Sequence, residues 1–95
     1  MFLSYEQIQV SNTVLDVDDL NVPAKATHAM LQADTQPVRY TMDGLTEPYQ
    51  TTGMVLLTTS PPELFLIEDL RRIKFKRGAA SDGRLNIHYV GGRDI

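Results

Sequence analysis

The sequence predicts an all-β fold, a compact antiparallel β-sandwich of about seven or eight short strands, jelly-roll-like or immunoglobulin-like. Composition is the first reason, because Thr, Val, Ile, Tyr and Phe number 28 of the 95 residues, whereas Ala, Glu and Lys number 13. Branched and aromatic side chains fit a pleated sheet and lose rotamer freedom in a helix. Spacing is the second reason, because prolines and glycines recur at short intervals, which is typical of turns between short strands.

Size and composition exclude several classes of protein. A chain of 95 residues and 10.7 kDa predicts a single domain over residues 1–95. Cysteine is absent, which excludes disulfides, thiolate metal sites and cysteine nucleophiles, and we expect no cofactor. No apolar run approaches the roughly 20 residues of a membrane span, and the first residues do not look like a signal peptide, so we expect no membrane partner. The net charge of -3 argues against a dedicated nucleic-acid binder.

Alternation of side chains predicts strands in the first half of the chain. Residues 5–10 place Tyr5, Gln7 and Gln9 on one face, and residues 27–33 and 38–41 alternate in the same way. The opposite face of residues 5–10 holds Glu6, Ile8 and Val10. One face of residues 27–33 holds Ala29, Leu31 and Ala33, and one face of residues 38–41 holds Val38 and Tyr40. Pro37 cannot donate to a strand ladder and should precede a strand, while Asp43-Gly44 reads as a turn.

Two unbroken apolar runs, 54–57 and 64–67, follow. They suit strands buried on both faces or strands at a contact between subunits. We favour a strand and then a turn at Glu68-Asp69 over a helix starting at the prolines 61–62, because the apolar residues form no clean helical stripe. These runs hold more apolar surface than one small sandwich needs, which predicts that part of it meets other copies.

The last third has the clearest alternation. Residues 72–76 alternate charged and apolar side chains, and residues 84–90 alternate polar and apolar ones. Together they predict a β-hairpin with one buried and one solvated face. The residues expected in the core are Ile73, Phe75, Leu85, Ile87 and Tyr89.

Three segments resemble a known family. They are Val22-Pro23-Ala24-Lys25-Ala26-Thr27-His28-Ala29, then Pro37-Val38-Arg39-Tyr40-Thr41-Met42-Asp43-Gly44, and the segment from Gly78 to Tyr89. In these residues the chain resembles small virion structural proteins of tailed bacteriophages. The resemblance covers roughly residues 20–57 and 71–90; Lys25 departs from it where a glycine is expected.

The resemblance implies a non-enzymatic role for the chain. It implies a capsid decoration or neck/tail accessory protein, made in the bacterial host cytoplasm and located in the virion. Its partners would be other copies of itself, in a homo-oligomer such as a trimer at local three-fold positions, and major capsid, portal/neck or tail proteins. The alternative is a carbohydrate- or receptor-binding module of a phage tail or fibre, in which an exposed tyrosine such as Tyr49 would stack on a sugar.

Two charged clusters are the candidate partner-binding residues. The basic cluster holds five of the nine Lys and Arg residues, Arg71, Arg72, Lys74, Lys76 and Arg77, and the acidic cluster is Asp16, Asp18 and Asp19. The basic cluster suits a solvated face that protects a strand edge, a docking face for the acidic cluster of a neighbouring copy, or a nucleic-acid contact. The acidic cluster lacks the glycine and distant glutamate of a calcium loop, so we interpret it as an acidic surface loop.

Overall fold

Seven strands form the protein in a computed structural model that describes residues 2–49 and 51–91. The strands are β1 (Phe2–Val10), β2 (Ala26–Asp34), β3 (Val38–Thr41), β4 (Met54–Leu56), β5 (Glu63–Leu66), β6 (Lys74–Arg77) and β7 (Gly83–Gly91). A single 3-10 turn spans Val17–Asp19, and a one-turn helix α1 spans Ile67–Leu70. Neither helix of the described residues is long and apolar enough to span a membrane.

The strands pair in two antiparallel sheets, one of order β1-β7-β2-β5 and one of order β4-β3-β6. A jelly roll of eight strands has sheets of order 1-8-3-6 and 2-7-4-5. If the second of these eight strands is removed and the other seven are renumbered, the sheets have the orders 1-7-2-5 and 6-3-4, which are the two orders observed here. The predicted all-β sandwich is therefore confirmed, and of its two forms the jelly roll is the one present.

The place of the missing strand is marked by a single bridge. Leu15 pairs with Phe75 of β6, with N–O distances of 2.9 and 2.8 Å for the two backbone hydrogen bonds. The Arg77 amide also donates to the Ser11 carbonyl. Residues 11–15 thus cover the free side of β6 without forming a regular strand.

The core lies between the two sheets and contains the predicted residues. Ile73, Leu85, Ile87 and Tyr89 are completely buried, and Phe75 is 1% exposed. The alternation of the earlier strands is also confirmed, since Val10, Ala29, Leu31, Ala33, Val38 and Tyr40 are all buried. Period-two patterning was sufficient here because each sheet has one face toward the core.

The predicted hairpin of the last third is wrong. β6 pairs with β3 in the three-stranded sheet, whereas β7 lies between β1 and β2 in the four-stranded sheet. The connection between them, residues 78–82, crosses from one sheet to the other. Both strands direct their apolar side chains into the same core, so their alternation is identical to that of a hairpin.

The two apolar runs are not buried on both faces. Each contributes one or two core side chains, Leu56 from β4 and Phe65 and Ile67 from β5 and α1. The predicted turn at Glu68-Asp69 is the one-turn helix α1. It is short because Ile67 and Leu70 alone reach the core, and three residues apart is one helical turn.

A buried polar contact ties β1 to β7 and to the crossover before β2. The Tyr89 hydroxyl donates to the Glu6 carboxylate, and the Asn21 backbone amide donates to the same carboxylate at 2.8 Å. Burial and the neighbouring Glu6 raise the pKa of Tyr89. Burial and Glu63 likewise raise the pKa of Tyr40 to about 12, so both phenols stay protonated donors across the physiological range.

Candidate binding surfaces

Exposed apolar side chains lie on two edge strands, β4, which ends the three-stranded sheet, and β5, which ends the four-stranded sheet. We call the exposed apolar side chains of these two strands, together with Leu57, the β4–β5 edge. Its side chains are half exposed: Met54 60%, Val55 38%, Leu57 49%, Leu64 53% and Leu66 50%. Among residues 2–49 and 51–91, no strand pairs with the outer side of β4 or of β5, so backbone donors and acceptors lie beside the apolar side chains.

The opposite end of the three-stranded sheet is protected. Residues 11–15 cover β6 there through the Leu15 bridge and the Ser11 carbonyl. The charged side chains of β6, such as Lys74, also discourage pairing with another chain. The exposed apolar side chains of β4 and β5 therefore lie on the edge strands that no other segment of the described residues covers.

The five side chains of the basic cluster do not form one open surface. Arg77 pairs with Asp82 at 2.7 Å, and Lys76 is buried and pairs with Glu47 at 2.8 Å. Within residues 2–49 and 51–91, no carboxylate lies within 4.0 Å of Arg71, Arg72 or Lys74. Those three side chains are the part of the cluster that remains open to a partner.

Lys76 is held by the loop that crosses the outer face of the three-stranded sheet. Its ammonium lies 5.0 Å from the centre of the Tyr49 ring, a cation–π distance, in addition to the Glu47 ion pair. Arg39 is directly opposite Lys76 on β3, and like charges in this position repel. The Arg39 guanidinium instead donates to the Gly53 carbonyl at 3.1 Å, so Lys76 holds Glu47 and Tyr49 against the sheet and Arg39 holds Gly53 there.

The acidic cluster lies beside the basic cluster of the same chain. Asp16, Asp18, Arg71, Arg72 and Lys74 line one depression of about 240 Å³. Two of the three carboxylates also have a structural role, because Asp16 accepts from the Asp18 amide and Asp19 accepts from the Asp16 amide. These bonds form a capping box that closes the 3-10 turn. A contact between the acidic cluster of one copy and the basic cluster of another stays a prediction.

Asp43 organises the turn that begins the loop crossing the outer face of the three-stranded sheet. Its carboxylate accepts from the Leu45 amide at 2.9 Å and from both the amide and the hydroxyl of Thr46. These hydrogen bonds lower the pKa of Asp43 from its ordinary 3.8 to about 2. The Lys76 hydrogen bond and charge lower the pKa of Glu47 in the same direction.

We expect the folded state to lose stability in acid through Asp43. Because its pKa is lower in the folded than in the unfolded chain, its contribution is complete above about pH 4 and disappears as the pH falls toward about 2. The Asp43→Asn variant should therefore show a smaller fall in the urea midpoint over that range than the wild type. The measurement is urea unfolding by circular dichroism at a series of pH values. Equal falls in both proteins would contradict this role of Asp43.

Comparison with known proteins finds no match: no family model, no curated protein and no solved structure matches this chain. In the described residues, no three His, Cys, Asp or Glu side chains are grouped so that they could hold a metal ion.

Sequence reasoning missed one surface, the outer face of the four-stranded sheet. There Tyr5 contacts His88, with ring centres 4.8 Å apart, and Phe2 contacts the same imidazole at 5.4 Å. Alternation had placed Tyr5 and His88 on the polar sides of their strands. Their proximity depends on the pairing of β1 with β7, whose partners are between 73 residues (Val10 and Gly83) and 88 residues (Phe2 and Val90) apart and have no local signal of pairing.

Proposed function

We propose that this chain is a non-enzymatic structural protein of a tailed-phage virion, which assembles with copies of itself through the β4–β5 edge and attaches to a larger shell, neck or tail. The observation that carries the proposal is the position of the half-exposed apolar side chains of β4 and β5. They lie on two edge strands, beside strand backbone that has no neighbouring strand among the described residues, and this combination suits contact with another protein. The phage part of the proposal is supported by the resemblance in residues 20–57 and 71–90.

Self-association gives these side chains an energetic reason to be apolar. Five large apolar side chains that are each about half exposed would gain on the order of 1 kcal/mol apiece when covered. A sandwich of 95 residues has a thin core, so burial between copies adds substantially to its stability. The open cations Arg71, Arg72 and Lys74 provide a second, polar surface on which an acidic region of a larger shell could dock.

The experiment combines oligomeric state with particle binding. We expect size-exclusion chromatography with light scattering to show an oligomer. When the purified wild type is added to phage particles assembled without it, we expect cryo-electron microscopy to show it bound to them. The double variant Leu64→Lys, Leu66→Lys should be monomeric, because it places two charges in the β4–β5 edge. Leu45→Lys is the matched control, since Leu45 is 84% exposed in a loop and its replacement should leave the oligomer intact.

Two results would overturn the proposal, and they are distinguishable. A wild type that is monomeric at all concentrations would exclude assembly through the β4–β5 edge. An oligomer that is absent from particles, and does not bind particles lacking it, would exclude the virion role while leaving self-association standing.

A further inference from the structure

The outer face of the four-stranded sheet has a shallow depression of about 210 Å³. Its lining residues are Tyr5, Met30, Gln32, Pro62, Asn86 and His88. The volume is below the roughly 300–1,000 Å³ of sites for drug-sized ligands, so it suits a single ring rather than a large cofactor. None of the six residues carries a formal charge with histidine neutral, so the surface does not select an ion.

The register of the strands arranges this face in two rows. Tyr5, His88 and Met30 are successive cross-strand partners on β1, β7 and β2, and they form an apolar and aromatic row. The next row holds cross-strand partners that all carry amides: Gln7, Asn86 and Gln32. Two residues along a strand separate the rows by roughly 7 Å. An apolar strip thus lies directly beside a strip of hydrogen-bonding groups.

Two hydrogen bonds at the depression fix the orientation of the Asn86 side chain. Its side-chain oxygen accepts from the Tyr5 hydroxyl at 2.8 Å and from the Gln7 amide at 2.7 Å. With that oxygen occupied by two donors, the Asn86 NH₂ group is directed away from both. Among residues 2–49 and 51–91, neither this NH₂ group nor the side chain of Gln32 has a hydrogen-bond partner. Amide donors and acceptors therefore remain open beside the Tyr5 ring.

We propose that this depression binds a neutral saccharide, one pyranose ring at a time. A pyranose has a face of C–H groups, which would lie on the Tyr5 and His88 rings, and a rim of hydroxyls, which would bond to the amides of Asn86 and Gln32. An ion would need charged side chains, and an apolar peptide would leave the amide row without partners. All six lining residues belong to one chain, and the depression borders the proposed assembly surface, because Leu64 of the β4–β5 edge is the cross-strand partner of Met30.

The test is an NMR titration of the ¹⁵N-labelled full chain. Glucose, galactose, mannose and N-acetylglucosamine are each added to millimolar concentration, and a glycan array extends the search to oligosaccharides. We expect saturable shifts at the backbone amides around residues 5, 30–32 and 86–88. Tyr5→Ala should weaken binding about fivefold to tenfold, through loss of the ring contact. Gln32→Ala should weaken it by a similar factor and disturbs only a side chain without internal partners.

Tyr49→Ala is the matched control, because Tyr49 is 55% exposed but lies on the other sheet, and it should bind as the wild type does. The absence of saturable binding to every monosaccharide and every glycan on the array would overturn the proposal. So would binding that survives both Tyr5→Ala and Gln32→Ala, or binding that is lost in Tyr49→Ala. Shifts at these residues that depend on protein concentration and not on sugar would assign the face to a contact between copies instead.

Discussion

Replacing Phe75 by alanine is expected to lower the free energy of unfolding by about 3–5 kcal/mol. Phe75 is 1% exposed and lies on β6 against the four-stranded sheet, so the smaller side chain would leave a cavity between the sheets. Its backbone also forms both hydrogen bonds of the Leu15 bridge, which replaces the missing strand of the jelly roll. A domain of this size typically has 5–15 kcal/mol in total, so the variant should be close to the limit of folding.

Phe2→Ala is the matched control for this prediction. The same atoms are removed, but Phe2 is 65% exposed at the end of β1, so we expect a loss below about 1 kcal/mol. The measurement is urea unfolding at one fixed protein concentration, which is necessary because self-association would add to the apparent stability. Similar losses in Phe2→Ala and Phe75→Ala would show that the space between the sheets is not the principal core.

The core could be predicted from sequence because burial in a sandwich follows a period of two. Ile87 and Tyr89 alternate with Asn86 and His88, and this pattern decides which side chains face inward whatever the neighbouring strands are. The turn at Asp43-Gly44 could also be predicted, because Asp-Gly is a common turn pair, and the φ of +75° at Gly44 agrees with it. These features depend on residues close together in the chain.

Strand partners could not be predicted, because they depend on residues far apart in the chain. The alternation of β6 and β7 is the same whether they form a hairpin or lie in opposite sheets. The strand that a complete jelly roll would have before β2 is reduced to the Leu15 bridge, and one bridge has no sequence pattern. The placement of Tyr5 beside His88 follows from the β1–β7 register alone.

The candidate surfaces were predictable in part. The surplus of apolar surface in residues 54–57 and 64–67 indicated a contact with other copies, and the structure leaves Met54 and Leu64 more than half exposed. The basic cluster was read as one charged face, but Lys76 is buried against Glu47 and Tyr49. Its partners come from a loop about 29 residues earlier, so the sequence around Lys76 contains no sign of its burial.

Gly53→Ala is expected to cost roughly 2–5 kcal/mol, although it adds one methyl group. Gly53 has a φ of +112°, a region that side chains of L-residues rarely adopt. A Cβ atom there would lie 2.8 Å from the Tyr40 carbonyl oxygen, which is backbone of β3 and has little freedom to move. Relief of this clash requires the start of β4 to shift away from β3, since Met54 pairs with Tyr40.

The displacement of β4 would also change the proposed assembly surface, the β4–β5 edge. Gly53 immediately precedes β4, and its carbonyl accepts the hydrogen bond by which Arg39 holds it against β3. We therefore expect Gly53→Ala to weaken both folding and self-association, measured by urea unfolding and by light scattering at the same protein concentration. A variant that folds but does not associate would link the geometry of β4 directly to the β4–β5 edge.

Gly44→Ala separates strain from steric clash. Gly44 also has a positive φ, +75°, but the atoms nearest to an added Cβ belong to Arg72 and are at least 3.7 Å away. Its replacement should cost only the conformational penalty of about 1–2 kcal/mol, and it should leave the oligomer unchanged because the added methyl group would contact Arg72 and no residue of β4. If Gly53→Ala cost no more than Gly44→Ala, the backbone at Tyr40 would have to be free to move, and β3 could not be the rigid support that aligns β4 for contact with another copy.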